Sequence, residues 1–394
     1  NLNELSSFNF IKNAYKKNKN IIIRSPLNSG LLAGKIDKDT RFNKNDFRNK
    51  YFSKNLFLLK MKKTRFKFSL IIFILLALVL SAAYFGVGYY IYSTLARAEP
   101  GCGNDCVNNP SSFRDNSEES DFPFDEYQVD YWELHQYAGG DEGIILDAWW
   151  LPLKEKGDSN APVIIVVHGL RISKYDPDML TVAGMLHKTG FNVLLFDLRD
   201  HGKSTIEDGR VSIGTKEYRD VMASVDWLIE IQDIDAKRIG IYGDSMGAAT
   251  AAIAFGMDDR IQSLVLDNGY LDLNKVVREE LGREGYPTWL APGAIWAAFI
   301  FGGETFLEPS PQLAFINHLD RPIFAMHGTA DIRVLPQHTT DMEVMAQQKG
   351  VNLITWFADN AIHSGIKYMY PEEFSSRISE FFALSLSGIP EPVE

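Results

Sequence analysis

The chain has 394 residues, a formal net charge of −11 and two cysteines. That length can bury a sizeable core, and the acidic balance excludes the basic face that nucleic-acid binding requires. No P-loop, dinucleotide fingerprint or metal-like histidine cluster is present, so no nucleic acid, cofactor or metal is expected.

In chain order, residues 1–60 are rich in Asn, Lys and Ile, lack strong periodicity and do not begin with Met. They read as a disordered basic tail, or as an over-extended reading frame with Met61 as the true start. Residues 61–98 read as an N-terminal transmembrane anchor. Lys60, Lys62, Lys63, Arg65 and Lys67 precede a run from Phe68 to Ala96 that contains no charged residue. As a helix this run measures roughly 40 Å, against a hydrocarbon core of ~30 Å, and tilt absorbs the excess. Basic residues before the run and acidic ones after it (Asp105, Asp115, Glu118, Glu119) place the N-terminus in the cytoplasm and the rest outside. The expectation is a single-pass cell-membrane protein. Cleavage of a signal peptide at Ala96-Arg97-Ala98, giving a secreted protein, is the rival, and the length of the apolar run speaks for an anchor. Residues 99–127 are Asn-, Ser- and acid-rich and read as a flexible linker. They hold Cys102 and Cys106, which could close a small local disulfide.

Over residues 128–388 short β-branched runs (163–167, 193–196, 239–242, 261–266, 322–326, 351–357) alternate with helical stretches (177–189, 216–231, 246–257, 336–349, 371–385). Such alternation predicts an α/β fold with a mostly parallel sheet covered by helices on both faces. Strands at about 128–137 and 143–151 make an antiparallel start. An insertion at about 270–314 predicts a small helical cap. Its Trp289, Trp296, Phe299, Phe301 and Phe306 either pack the cap on the body or line an acyl pocket. Arg278, Glu279, Glu280 and Arg283 read as a solvated helix face.

Gly243-Asp244-Ser245-Met246-Gly247 lies between the run 238–242 and the Ala-rich run 248–255. Strand, sharp turn and helix is the setting in which G-x-S-x-G lifts a serine hydroxyl out of a sheet. That hydroxyl needs a base. Of eight histidines, His363 alone lies in a loop after the last strand-like run and downstream of a plausible acid. His168 and His327 read as strand-end turn residues and His201 as a loop brace. Asp331, in His327-Gly328-Thr329-Ala330-Asp331, is the preferred acid because its strand ends just before the histidine loop. Asp267 is the competitor. The amide of Met246 and that of Leu170, with Arg171 in reserve, are the expected oxyanion donors.

These motifs together resemble the α/β-hydrolase superfamily over roughly residues 128–386, and among its members the serine aminopeptidase and prolyl-oligopeptidase-like hydrolases, including membrane-anchored ones. The features that carry the likeness are 141–152, the H-G at 168–169, the D-x-R-x-H-G-x-S loop at 197–204, the elbow, H-G-x-x-D at 327–331, and His363 followed by Tyr370-Pro371-Glu372-Glu373-Phe374. The resemblance implies an eight-stranded sheet with a cap, and Ser245 as nucleophile, Asp331 as acid and His363 as base. Asp200 departs from the family loop, which usually has glycine there. The expected activity is that of a metal-free serine hydrolase acting on ester or thioester bonds of a small-molecule or lipid-like acyl substrate through an acyl-enzyme. A peptidase or an acyltransferase on the same triad is the alternative. A non-catalytic binding protein that keeps the fold is the reading from another class. The oligomeric state is not legible.

Overall fold

A computed structural model describes residues 43–98, 107–114, 122–154, 161–303, 307–317 and 320–386, with the backbone alone for 47–65. The chain divides into two compact units between Ala82 and Ala83. Helix α1, Phe47–Leu95, runs through that division. In the first unit its described side chains are exposed and, after Lys67, uncharged. The segment Phe66–Leu95 is long and apolar enough to cross a membrane, with a mean hydropathy of 2.7 in its apolar window. Because α1 begins at Phe47, the expected tail over 1–60 is corrected for residues 47–60, which are helical. They contain neither Gly nor Pro, and extending an existing helix is far less costly than nucleating one. Residues 1–42, and Cys102 and Cys106 with the disulfide expected of them, lie outside the described residues.

The second unit is built on one eight-stranded sheet: β1 (Glu133–Ala138), β2 (Ile145–Leu151), β3 (Val163–Val167), β4 (Asn192–Phe196), β5 (Ile239–Asp244), β6 (Ile261–Asp267), β7 (Ile323–Gly328) and β8 (Leu353–Ala358). Their spatial order is β1-β2-β4-β3-β5-β6-β7-β8. β2 pairs antiparallel with both β1 and β4, and every other pairing is parallel. Burial on both faces explains why the central strands are continuous apolar runs. Their side chains still alternate between two cores. Val163, Ile165 and Val167 face one cluster with Ile241 and Leu264. Ile164 and Val166 face the other with Tyr242 and Val265. The first face is covered by α3 (Tyr218–Glu230), α4 (Met246–Met257) and α8 (Gln337–Lys349), the second by α2 (Pro177–Lys188) and α10 (Pro371–Leu386). Parallel register aligns the carboxyl ends, with Val167 opposite Gly243, Asp244 opposite Asp267 and Gly328 opposite Ala358. The cap between β6 and β7 holds α5 (Leu273–Arg283), α6 (Ala291–Gly302) and the short α7 (Leu313–Ile316). α9 (Ile366–Met369) follows β8.

The linker expected to be flexible over 99–127 is corrected where it is described. Asn108, Phe113 and Phe124 are buried, and both phenylalanines join the second core. The polar composition of the segment hides these aromatic anchors, whose burial outweighs the ordering entropy locally. Downstream of α1, Ala98 N–H donates to Gly209 O (3.0 Å) and Val211 N–H to Ala96 O (2.7 Å).

The D-x-R-x-H-G-x-S loop is a set of braces. Asp197 and Asp147 hold the fully buried Lys174 ammonium at 2.6 and 2.5 Å. Arg199 pairs with Asp220 (2.7 Å), and His201 donates from Nδ1 to Arg199 O (2.9 Å). Asp200, at φ 62°, sits in the left-handed region that glycine favours. Its carboxylate repays that strain by accepting the N–H groups of Glu207, Asp208 and Gly209. Lys174→Met leaves two buried carboxylates facing each other and is expected to lower the stability of the full chain in detergent by ~3–5 kcal/mol. Denaturant titration checks this, and a loss within error would show that the ion pairs are dispensable.

Candidate active site

Ser245 stands between β5 and α4 with φ 54° and ψ −115°, a strained conformation for a residue with a side chain. Two glycines make the turn possible. A Cβ on Gly243 would lie 2.3 Å from Gly247 O, and one on Gly247 would lie 2.2 Å from Val167 O. Ser245 N–H donates to Asp267 O (2.9 Å), which fixes the turn to the neighbouring strand. Ala-rich α4 is buried along nearly its whole length, so it can lie against the sheet at this distance.

The structure brings Ser245, His363 and Asp331 together. His363 Nε2 lies 3.0 Å from Ser245 Oγ, and His363 Nδ1 lies 2.7 Å from Asp331 Oδ2. An ionised carboxylate only accepts, so Nδ1 carries the proton and Nε2 is left to accept from the serine hydroxyl. Asp331 Oδ1 accepts from the N–H groups of Arg333 (2.8 Å) and Val334 (3.0 Å). Burial alone would raise the Asp331 pKa. The His327 and His363 rings and the Arg333 amide outweigh it and hold the carboxyl well below the usual range. The two loops are joined by backbone: Thr329 N–H donates to Ala358 O (2.9 Å) and Ala330 N–H to Ala361 O (3.0 Å).

Asp267, the competing acid, is occupied elsewhere. Its carboxylate accepts from Tyr242 Oη (2.5 Å) and Asn268 Nδ2 (3.0 Å). Burial and the nearby Asp244 charge push its pKa up to about 7. His327 does more than shape a turn. Its Nε2 donates to Val334 O (2.8 Å) and lies 3.3 Å from Asp331 Oδ2, so it flanks the acid from behind. His168 is buried, accepts from Leu198 N–H at Nε2 (3.0 Å), and is held neutral by burial. A network missed in the sequence supports the histidine loop. Ser364, at φ 54°, donates to Asp244 Oδ1 (2.8 Å), and Lys367 Nζ donates to Ser364 O (2.5 Å). Its only sequence signal is a lysine placed among apolar residues at the start of a helix.

Ser245 opens into a cavity of about 90 Å³. Val276, Val277, Leu281, Ala294 and Ile295 of the cap line it, together with Ile91, Tyr92, Leu95 and Ala96 from the end of α1. The cavity walls therefore include residues from the segment read as an anchor. Gly88 of α1 meets Gly293 of α6 so closely that a Cβ on Gly88 would lie 2.5 Å from Gly293 C. The cap aromatics do not line the cavity; Trp289 and Phe301 pack on Tyr84 and Tyr89 of α1 and stay largely exposed. Trp289, Trp296, Phe299 and Phe301 are exposed and are absent from the cavity wall, and Phe306 lies outside the described residues. The solvated-face reading is corrected at Glu280, which is half-buried, lines the cavity and is held by Arg283 (2.7 Å). Met246 N–H and Leu170 N–H, beside Ser245 at the cavity, have no acceptor among the described residues. Arg171 instead sends its guanidinium to the carbonyls of Thr94, Leu95 and Arg97 at the end of α1.

A carboxylate whose folded pKa is depressed contributes stability above its unfolded value of ~3.9 and loses it as the pH falls towards the native value. The stability gap between the wild type and Asp331→Asn is therefore expected to be full at neutral pH and to narrow below about pH 4. Denaturation over a pH series measures it, and a gap independent of pH would contradict the assignment of a buried charge.

The profile of the prolyl oligopeptidase family matches residues 179–388, more than half of the chain. The chain is 27% identical over 190 residues to an uncharacterized protein of Mycobacterium tuberculosis, covering 48% of this chain and 59% of that one. It is 25% identical over 213 residues to the acylamino-acid-releasing enzyme of Homo sapiens, covering 50% of this chain and 28% of that one. It thus spans less than two thirds of the length of either relative. A Pyrococcus furiosus esterase superposes with a TM-score of 0.54 at 25% identity, over 71% of this chain and 100% of that one. The acylaminoacyl peptidase of Pyrococcus horikoshii shares the fold, with a TM-score of 0.51 at 19% identity over 67% of this chain and 43% of that one. With its eight-stranded sheet and this match over residues 179–388, the chain belongs to the prolyl oligopeptidase family of α/β-fold serine hydrolases.

Proposed function

We propose that the protein is a membrane-anchored esterase or thioesterase that works through an acyl-enzyme on Ser245. The observation that carries this reading is the unbroken hydrogen-bonded line from Ser245 Oγ through His363 to Asp331, with links of 3.0 and 2.7 Å, at the wall of an apolar cavity. Ser245 Oγ attacks the carbonyl carbon while its proton passes to His363 Nε2. Asp331 keeps the ring oriented and stabilises the imidazolium. The N–H groups of Met246 and Leu170 receive the developing oxyanion, a contribution of ~3 kcal/mol for each donor. The imidazolium then protonates the leaving alcohol or thiol. Water, deprotonated by the same ring, releases the acid and restores the serine.

The cavity supports an acyl group rather than a charged residue as the bound moiety. Its lining is mostly apolar, with Tyr92, Tyr270, Glu280 and Arg333 as the polar-tipped exceptions, and Arg283 already pairs with Glu280, the one carboxylate among them, which leaves no free anion for a substrate ammonium. A cavity of about 90 Å³ is small beside the ~300–1,000 Å³ of pockets for drug-sized ligands, which favours a short acyl chain. The acylaminoacyl peptidase similarity keeps peptide bonds as the second reading. A fluorophosphonate probe is expected to label the protein, and Ser245→Ala to abolish labelling. Asp331→Asn is expected to lower kcat by roughly 10³–10⁴-fold. Short-chain p-nitrophenyl esters should turn over faster than long-chain esters and aminoacyl anilides. Equal labelling of Ser245→Ala would remove the proposed nucleophile, and faster turnover of the anilides would establish the peptidase reading.

A further inference from the structure

We propose that cap helix α6 is a second membrane-contacting element, whose outward face lies in the headgroup–acyl boundary of a lipid bilayer. The starting observation is a helix that is apolar on both sides. Between Glu284 and Glu304 the sequence contains no charged residue. Ala291, Ala294, Ala297 and Ala298 of α6 are buried against Ile91 and Tyr92 of α1 and Ala96 just beyond its end. The opposite face carries Trp296 (56% exposed), Phe299 (48%) and Ile300 (58%), with Trp289 (63%) one turn before the helix. Positions 289, 292, 296, 299, 300 and 303 recur at the spacing of a single helical face, and that face consists of Trp, Pro, Trp, Phe, Ile and Gly. A helix at a water surface keeps polar residues on its outer face, whereas one that is hydrophobic all round has an apolar environment all round.

The occupant of that face is argued from its continuity. Trp289 stacks on Tyr84 with ring centroids 6.0 Å apart, and Phe301 meets Tyr89 edge-on at 4.6 Å. Phe85 and Tyr90 are exposed beside them in sequence. The patch therefore continues from α6 onto residues 84–90, within the apolar segment Phe66–Leu95, and Arg210 borders it with its guanidinium 4.8 Å from the Tyr92 ring. A segment of that length and composition suits a bilayer, and an apolar face joined to its end meets the same solvent. Trp and Tyr are the side chains that favour the interface, because each pairs an apolar ring with a polar N–H or O–H. An interfacial helix buries its apolar face by ~5–10 Å. The proposal goes beyond the esterase reading and stands whether or not Ser245 is a nucleophile.

The tryptophans supply the test. The chain has seven, and none lies between Phe66 and Leu95, so insertion of α1 alone brings no tryptophan into the bilayer. The full chain is reconstituted into phosphatidylcholine vesicles whose acyl chains carry bromine, a contact quencher of indole fluorescence, and flotation verifies association. Brominated vesicles are expected to quench part of the emission, and bromines near the headgroup end should quench more than bromines near the chain methyl. Trp289→Phe with Trp296→Phe is expected to lose most of the quenchable component. Both positions are exposed, and an unchanged thermal unfolding midpoint in detergent verifies the fold of the double variant. Quenching equal in the double variant and the wild type, no quenching of a vesicle-bound chain, or failure to associate with vesicles would overturn the proposal. So would a dimer, detected by cross-linking in vesicles, that shields the two tryptophans from brominated lipid.

Discussion

The contact on which the site depends is the approach of helix α4 to strand β3 at Gly247. No side chain fits there, because a Cβ would lie 2.2 Å from Val167 O. That closeness turns the chain sharply enough to force Ser245 to φ 54°, and the strain is held by Ser245 N–H on Asp267 O and by the buried face of α4. A strained residue persists only when its surroundings over-determine it. Here the same geometry points Ser245 Oγ away from the sheet and leaves the Met246 amide at the start of a helix, where no intrahelical acceptor exists. Position and electrostatics thus follow from a single packing constraint.

The histidine is held in a comparable way, by elements distant in sequence. Its loop is sewn to the Asp331 loop through the carbonyls of Ala358 and Ala361. From the other side, Ser364 binds Asp244, the residue before Ser245. A movement of His363 therefore disturbs both the strand carrying the serine and the loop carrying the acid. Asp331 needs this frame because four groups converge on one buried carboxylate: His363, His327 and the amides of Arg333 and Val334. A group satisfied so completely cannot rotate to another partner without leaving buried donors unpaired. The imidazole is thereby confined to one tautomer.

Much of this was legible from residue order. The β-branched runs marked the strands to within two or three residues over the central sheet, because strands buried on both faces leave no polar alternation to confuse the pattern. Ser245, His363 and Asp331 stood out because each followed such a run in a short polar loop. What escaped depended on contacts between segments far apart. Phe113 and Phe124 dock a stretch whose composition reads as linker. His327, next to a glycine at a strand end, gave no sign that it would sit behind Asp331. The cap aromatics were expected to face the body or the cavity, but small alanines took the inner face of α6, so Trp296 and Phe299 lie outside, and Trp289 and Phe301 touch α1 at its rim. Helical spacing reveals that two faces exist, and only packing decides which one turns inward.

The part of α1 after Ala83 changes the meaning of the N-terminal segment. A tether would need only length and apolarity, yet residues 84–96 carry Gly88 at a backbone crossing, Tyr84 bonded to Gly293 N–H at 3.1 Å, and Ile91 and Leu95 in the cavity wall. Arg171 occupies three carbonyls around the end of the helix, placing a cation where the helix dipole is negative. Arg171 lies next to Leu170, which lines the same cavity as Ser245. The helix end, the Leu170–Arg171 loop and the cap therefore share a packed interface. Removing residues 84–96 would open the cavity and expose the alanine face of α6, so this segment is part of the hydrolase fold itself.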